Sequence, residues 1–174
     1  MKYIKQYAAF MIGLVIIDQL VKIIIYNFFF IKNIDILDNI IRFHPKFNTN
    51  LSWGGNYISL FSNMSFAVIA NVIVIALFIS GYAYYRSKNS SAGFVGNLIY
   101  IFGLAGAVCS FVDKIIWGGS LDFIQIPHLF TFDLKDCYLT VAECLFLFVG
   151  IKHSNEISFT DYIKWCLSRI KPMK

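Results

Sequence analysis

The sequence predicts an α-helical membrane protein with four transmembrane helices and a small extracytoplasmic β-rich segment. Three observations carry that expectation. Of 174 residues, 58% are hydrophobic and 18% aromatic while only 14% are charged, a balance that favours lipid over water as the surrounding medium. Four apolar stretches approach the ~20 residues a helix needs to cross a bilayer: Tyr7 to Tyr26, Met64 to Tyr85, Gly93 to Val112, and Cys137 to Ile151 with some residues before it. Lysine and arginine, finally, concentrate in alternate connecting segments.

The first stretch follows Lys2 and Lys5 and so has the outline of a secretory signal. Asp18 and Lys22 interrupt it, no small-x-small cleavage site follows, and the apolar run resumes at Ile23, which predicts a retained span. Asp18 and Lys22 stand four residues apart, so a helix puts them on one face where they can pair. Ionisable groups at hydrocarbon depth cost at least ~2.5 kcal/mol each, and their default reading is a functional site. Asn27 to Asn63 is the longest segment between spans. Pro45, Gly54, Gly55 and several asparagines break it up, while IIRFHPKFNTNLSW has the aromatic and β-branched content of short strands. Phe28, Phe29, Phe30 and Trp53 suit the interfacial aromatic belt.

Orientation follows from the basic residues. Lys2, Lys5, Arg86, Lys88, Lys152, Lys164, Arg169, Lys171 and Lys174 fall on one side, against Lys32, Arg42, Lys46, Lys114 and Lys135 on the other. The bias predicts both termini in the cytoplasm. Residues 1–151 then form a four-span domain with an extracytoplasmic insertion at about 27–63. Residues 152–174 form a cytoplasmic tail whose Phe159, Tyr162, Ile163, Cys166, Leu167 and Ile170 recur near helical spacing, as in an amphipathic helix on the inner leaflet.

The chemistry concentrates in AGAVCSFVDKIIWGGSLDFIQIPHLFTFDLKDCYLTV, Ala105 to Val141, which carries Asp113, Lys114, Asp122, Asp133, Lys135 and Asp136. Asp122 sits in the apolar hexamer SLDFIQ, and Asp136 immediately precedes an apolar run. Brought close together, two such carboxylates would share one proton, leaving one acid and one base as in an aspartic protease. Ser110 and Lys114 at i, i+4 could alternatively make a Ser–Lys pair, although carboxylates nearby would keep such a lysine charged. The net charge of +5 is scattered between apolar runs and outlines no nucleic-acid stripe. Cys109, Cys137, Cys144 and Cys166 lack metal-ligand spacing. His44, His128 and His153 are far apart with no H-E-x-x-H, so no metal or other cofactor is expected.

With these residues in view, the chain from about Met11 to Ile151 resembles lipoprotein signal peptidase, also called signal peptidase II, a four-span bacterial aspartic protease family. DQLVK at Asp18 to Lys22 matches D-Q-x-x-K. NTNLSWG at Asn48 to Gly54 resembles N-T-G-A-A-[WF]-G, and GAVCSFVDK at Gly106 to Lys114 resembles G-A-x-G-N-x-x-D-R. SLDFI at Ser120 to Ile124 resembles V-V-D-F-I, and FDLKDCYLTV at Phe132 to Val141 resembles F-N-x-A-D-[ST]-x-[IL]-x-[VI]. Each motif alone is weak; five in the right order are specific. The resemblance implies a catalytic dyad of Asp122 and Asp136 that activates water to cut a prolipoprotein just before its diacylglyceryl-modified cysteine. It implies that Asp18, Lys22, Asn48, Ser110, Lys114 and Asp133 line the site or hold substrate. It also implies that Asp113 braces the site; Lys114, its neighbour in sequence, is the partner expected for it. The expected setting is a monomer in the inner or plasma membrane of a bacterium, in contact with lipid, with its site at the extracytoplasmic face. The departures are Ser110 and Asp133 where the family has Asn, Lys135 where it has Ala, and Lys114 where it has Arg. Arginine makes a bidentate contact that lysine cannot. A catalytically altered or inactive paralogue that binds lipid or lipoproteins is the alternative these departures raise.

Overall fold

The computed structural model describes residues 2–49, 63–88, 93–152 and 158–170. Helix α1 (Lys2–Ile24) runs into a π-helical turn (Ile25–Phe29) and a hairpin of β1 (Ile34–Leu37) and β2 (Ile41–Asn48). Helices α2 (Met64–Lys88) and α3 (Phe94–Val112) follow, α3 ending in a second π-helical turn (Asp113–Trp117). Then come β3 (Ser120–Ile126), β4 (Phe130–Phe132), α4 (Leu134–Lys152) and α5 (Phe159–Ile170).

Three helical stretches, Lys5–Phe29, Met64–Lys88 and Phe94–Trp117, are long and apolar enough to cross a membrane. Helix α4 has 19 residues and carries Lys135, Asp136, Glu143 and Lys152, and does not meet the same measure. Ile12, Ile16 and Leu20 of α1 and Ile69, Val72 and Ile73 of α2 are exposed. Only an apolar surrounding would tolerate such surfaces.

Helix α3 is the centre of the bundle because its side chains are small. Gly103, Ala105, Gly106, Ala107 and Cys109 are all buried, letting neighbouring backbones approach, the usual route to helix packing in lipid. At Gly106 a Cβ would fall 2.6 Å from Leu139 Cγ and 3.1 Å from the Lys135 carbonyl oxygen of α4. Gly106→Val therefore forces α4 outward, at a cost of about 1–3 kcal/mol. Thermal unfolding in detergent should show a lower midpoint, and an unchanged midpoint would contradict this packing.

The sheet is antiparallel in the order β1-β2-β3-β4. The sequence suggested strands only in the segment before α2, whereas β3 and β4 come from residues 120–132 beyond α3. Asn48 lies opposite Ser120 and Lys46 opposite Asp122, and the register shifts between Phe43 and Lys46. Pro45 stands in that irregular stretch, where a missing N–H is tolerated. Gly119 admits the crossing: a Cβ there would meet the Asn48 carbonyl oxygen at 2.8 Å. Beneath the sheet Ile25, Leu121 and Phe123 form a buried cluster joined by Val21, Phe43 and Phe47. Tyr26 sets its ring edge-on to Phe47 and to Trp117. Trp53, Gly54 and the rest of the NLSWG stretch lie outside the described residues.

Helix α5 rests on α2. Tyr162 and Trp165 meet Tyr84 edge-on, and the Tyr162 hydroxyl is 2.7 Å from Ser80 Oγ. Phe159, Ile163 and Leu167 remain exposed.

Candidate active site

Four parts of the chain converge: the end of α1, the π-helical turn after α3, the β2–β3 pair, and the N-terminus of α4. Their meeting point is Lys22, which is fully buried and contacts Asp18 Oδ2 at 2.8 Å, Asp113 Oδ2 at 2.7 Å and Asp133 Oδ2 at 2.8 Å. A buried ammonium is tolerable only when so surrounded. Asp113 therefore pairs with Lys22 and not with Lys114, correcting the expected partnership. Adjacent helical residues point in different directions, and the turn sends Asp113 inward. Its second oxygen accepts from Gln19 Nε2 at 3.0 Å, and Gln19 Oε1 accepts from Trp117 Nε1 at 3.0 Å. The Lys114 ammonium donates instead to Ser110 Oγ at 2.6 Å. Ser110 is thus the acceptor of a charged donor, the opposite of an activated nucleophile.

Asp133 and Asp136 cap α4. Asp133 Oδ1 accepts from the Asp136 N–H at 3.2 Å while Asp136 Oδ2 accepts from the Asp133 N–H at 3.1 Å. This is the reciprocal arrangement of a capping box. Asn or Asp serves equally at the leading position of such a box, so Asp133 keeps a role that Asn could fill. Asp18 supplies a further cap from α1, its Oδ1 accepting from the Lys135 N–H at 3.2 Å. Negative charge gathers where the helix dipole is positive. The box also fixes Asp136, which lines the cavity.

Asp122 is held from two sides. Ser120 donates its hydroxyl to Oδ1 at 2.7 Å, and Asn48 Nδ2 donates to Oδ2 at 3.0 Å. Lys135 Nζ is 3.8 Å from Asp122 Oδ1 and 3.9 Å from Asp136 Oδ1. Carboxylate oxygens of Asp122, Asp133 and Asp136 lie within 4.8 Å of one another, a spacing a divalent cation could bridge. The Lys135 ammonium already lies beside all three, so the positive charge there is the protein's own. The group opens on a cavity of about 930 Å³ whose walls include Asn48, Ser110, Lys114, Asp122 and Asp136, with Phe47, Leu129, Phe130 and Phe132 as apolar lining.

Burial pushes the Asp122 carboxyl above its ordinary value, against the pull of Lys135 and of the Ser120 and Asn48 hydrogen bonds. Burial also pushes Asp136, one residue ahead of the apolar run, up to about 7, with the Asp133 and Asp122 charges adding to the rise and Lys135 opposing it. For Asp133 burial works the same way, but Lys135 and Lys22 outweigh it and hold the carboxyl below the usual range. Two neighbouring carboxyls raised and a third kept ionised is the arrangement in which one proton is shared by a pair.

The structure brings Asp18, Lys22, Asn48, Asp113, Asp122, Asp133 and Asp136 into one connected group, with Ser110 and Lys114 on the cavity wall. Sequence reasoning gave no role to Ser120 or Gln19, and took Lys135, with Asp133, as a departure that adds a charge beside the two carboxylates and could shift their titration. Their signals were slight: a hydroxyl two residues before one carboxylate, an amide beside another, and a lysine next to a third.

The family model described as signal peptidase (SPase) II matches residues 10–152. A lipoprotein signal peptidase of Caldicellulosiruptor bescii is 28% identical over 144 residues, covering 83% of this chain and 89% of that protein. Another from Thermodesulfovibrio yellowstonii is 26% identical over 144 residues, covering 80% and 90%. A solved bacterial membrane enzyme, determined by the in meso method at 2.3 Å resolution, superposes with a TM-score of 0.73 at 21% identity, covering 90% of this chain and 94% of its own. A second, at 1.9 Å resolution, gives a TM-score of 0.70 at 21% identity, covering 87% and 96%. These last two show likeness of fold.

Proposed function

The chain belongs to the signal peptidase II family, and from that premise we infer that it is a membrane aspartic endopeptidase that removes the signal peptide from prolipoproteins. The observation that carries the reading is the approach of the Asp122 and Asp136 carboxylate oxygens to within 4.8 Å on the wall of a cavity large enough for a peptide segment. In this reading hydrogen bonds from Ser120 and Asn48 favour the ionised form of Asp122, so Asp122 is the base that takes a proton from water. Asp136 carries the shared proton and delivers it to the carbonyl oxygen of the scissile amide. Lys114 and Asn48 orient the substrate backbone, and Asp18, Lys22, Asp113 and Asp133 hold the two carboxylates in place. The bond cut is the one before the diacylglyceryl cysteine, and the aromatic lining by Phe47, Phe130 and Phe132 suits a lipid-bearing residue.

Helix α4 serves as the fourth span of a domain over residues 1–151. Its N-terminus, the sheet and the insertion at about 27–63 lie outside, and both termini lie inside, in a bacterial inner or plasma membrane. The tail from 152 rests on the inner leaflet with Lys164 and Arg169 near anionic headgroups, and the enzyme works as a monomer. Cysteine labelling tests the orientation, in a background lacking the native cysteines. Tyr57→Cys should react from outside intact cells and Asn89→Cys should not; the reverse result would invert the topology.

A gel-shift assay of a diacylglyceryl-modified prolipoprotein with purified protein tests the chemistry. Cleavage should persist in chelator, and Ser110→Ala should still cleave. Loss with chelator and return with zinc would overturn the assignment. The pH profile should be bell-shaped. On the acid side the ionised carboxylate is protonated and the base is lost; on the alkaline side, above about 7 where Asp136 titrates, the shared proton leaves and the acid is lost.

A further inference from the structure

The ammonium of Lys135 takes no part in the capping of α4 or in the proposed proton transfers, and no role has yet been given to it. Its ammonium has three hydrogens, and the structure offers them Asp133 Oδ2 at 2.5 Å, Ser120 Oγ at 2.5 Å and Asp113 Oδ2 at 3.3 Å. The side chain is almost wholly buried, and Nζ stands nearly equidistant from the two dyad carboxylates, at 3.8 and 3.9 Å. Ser120 has one proton to give and accepts from Lys135, so its shortest donation, 2.7 Å to Asp122 Oδ1, completes a chain from the ammonium to one member of the dyad. We propose that Lys135 is a positioning residue for the peptidase reaction, a resident cation that sets the pH range over which Asp122 and Asp136 share one proton, with Ser120 as its link to Asp122.

The charges around the dyad fix the sign. Asp133 and Asp136 face it from the start of α4, Asp113 and Lys114 from the turn after α3, Asp18 and Lys22 from α1, and Lys46 of β2 lies opposite Asp122. His128, between β3 and β4, lines the same cavity. Lys22 is held by Asp18, Asp113 and Asp133 and Lys114 by Ser110, and among the described residues Lys135 is the lysine with recorded ion pairs to both carboxylates. A cation at such a distance favours the ionised form, typically by about 1–3 pH units. Removing it should move both limbs of the dyad's titration to higher pH. Removing the neighbouring negative charge of Asp133 should move them to lower pH, and Asn in its place retains the cap on α4. A merely structural residue would not produce shifts of opposite sign.

The inference rests on the aspartic peptidase reading, so the test reads the dyad both with and without cleavage. Purified full-length protein in detergent would be titrated by infrared difference spectroscopy of the protonated carboxyl band, identified by its loss in Asp136→Asn. Prolipoprotein cleavage would be followed over the same pH range. Lys135→Met should shift the band's disappearance and both limbs of the cleavage profile upward by at least about one pH unit, while Asp133→Asn shifts them downward. Ser120→Ala, a mild change that folds even where Lys135→Met does not, should move the Asp122 titration upward. Superposable titrations of wild type and Ser120→Ala, or shifts of the same sign in Lys135→Met and Asp133→Asn, overturn the proposal. Absence of cleavage by wild type with the infrared shifts intact would count against the peptidase reading and leave the role of Lys135 standing.

Discussion

Replacing either Asp122 or Asp136 by Asn should reduce prolipoprotein cleavage by roughly 10²–10⁴-fold, the range over which a positioned acid or base contributes. Each variant should remain folded. At Asp122 the amide still accepts the Ser120 hydroxyl through one atom, and the nearby Asp136 loses a repelling neighbour. At Asp136 the amide oxygen can still take the Asp133 N–H. On the reading that the two carboxyls act as a unit, the double variant should be little worse than either single one. A gel-shift assay with thermal unfolding run in parallel separates chemistry from folding. If Asp122→Asn kept its cleavage while Asp113→Asn folded normally and was inert, Asp113 would be the true partner of Asp136.

Lys22→Met should be the most damaging change to the fold itself. It strips the shared cation from Asp18, Asp113 and Asp133, which contact it at 2.7–2.8 Å from three separate parts of the chain. Breaking a buried pair by removing one partner costs about 3–5 kcal/mol, enough to empty the folded state of a marginally stable chain. The expected readout is a large drop in the unfolding midpoint in detergent, or failure to recover monodisperse protein. Asp113→Asn should be milder, at about 1–3 kcal/mol, since the amide keeps a contact to Gln19 or Lys22. Equal stability of Lys22→Met and wild type would show that the three carboxylates do not depend on that ammonium.

The apolar runs at α1, α2 and α3 were readable in the sequence because length and composition alone decide them. Asp122 and Asp136 stood out because a carboxylate inside or beside an apolar run has few structural uses. The strands β3 and β4 were not readable. Leu121, Asp122 and Phe123 are all buried, so the in-and-out alternation that marks a half-buried strand is missing. The partner of Asp113 was hidden for another reason: Lys22 is 91 positions away, while Lys114 is next to it. Proximity in sequence suggested the wrong cation. Lys135 was seen as a departure beside the two carboxylates, but its place between Asp122 and Asp136 depends on where α4 begins, and the start of that apolar stretch was the least certain of the four.

The hydrogen bond from the Lys135 backbone to Asp18 also bears on how the protein is made. As the chain emerges from the ribosome, α1 can offer Asp18 and Lys22 only each other and the Gln19 amide. The acceptor on Asp18 waits for a donor synthesised more than a hundred residues later, at the start of α4. Lys22 likewise meets Asp113 and Asp133 only after α3 and the loop beyond it have been translated. A chain halted before α4 lacks Lys135 and Asp136 and so holds neither a completed charge network nor both carboxylates of the proposed dyad. On the proposed reading, proteolytic competence thus arrives with α4, because Asp136 stands in its first turn.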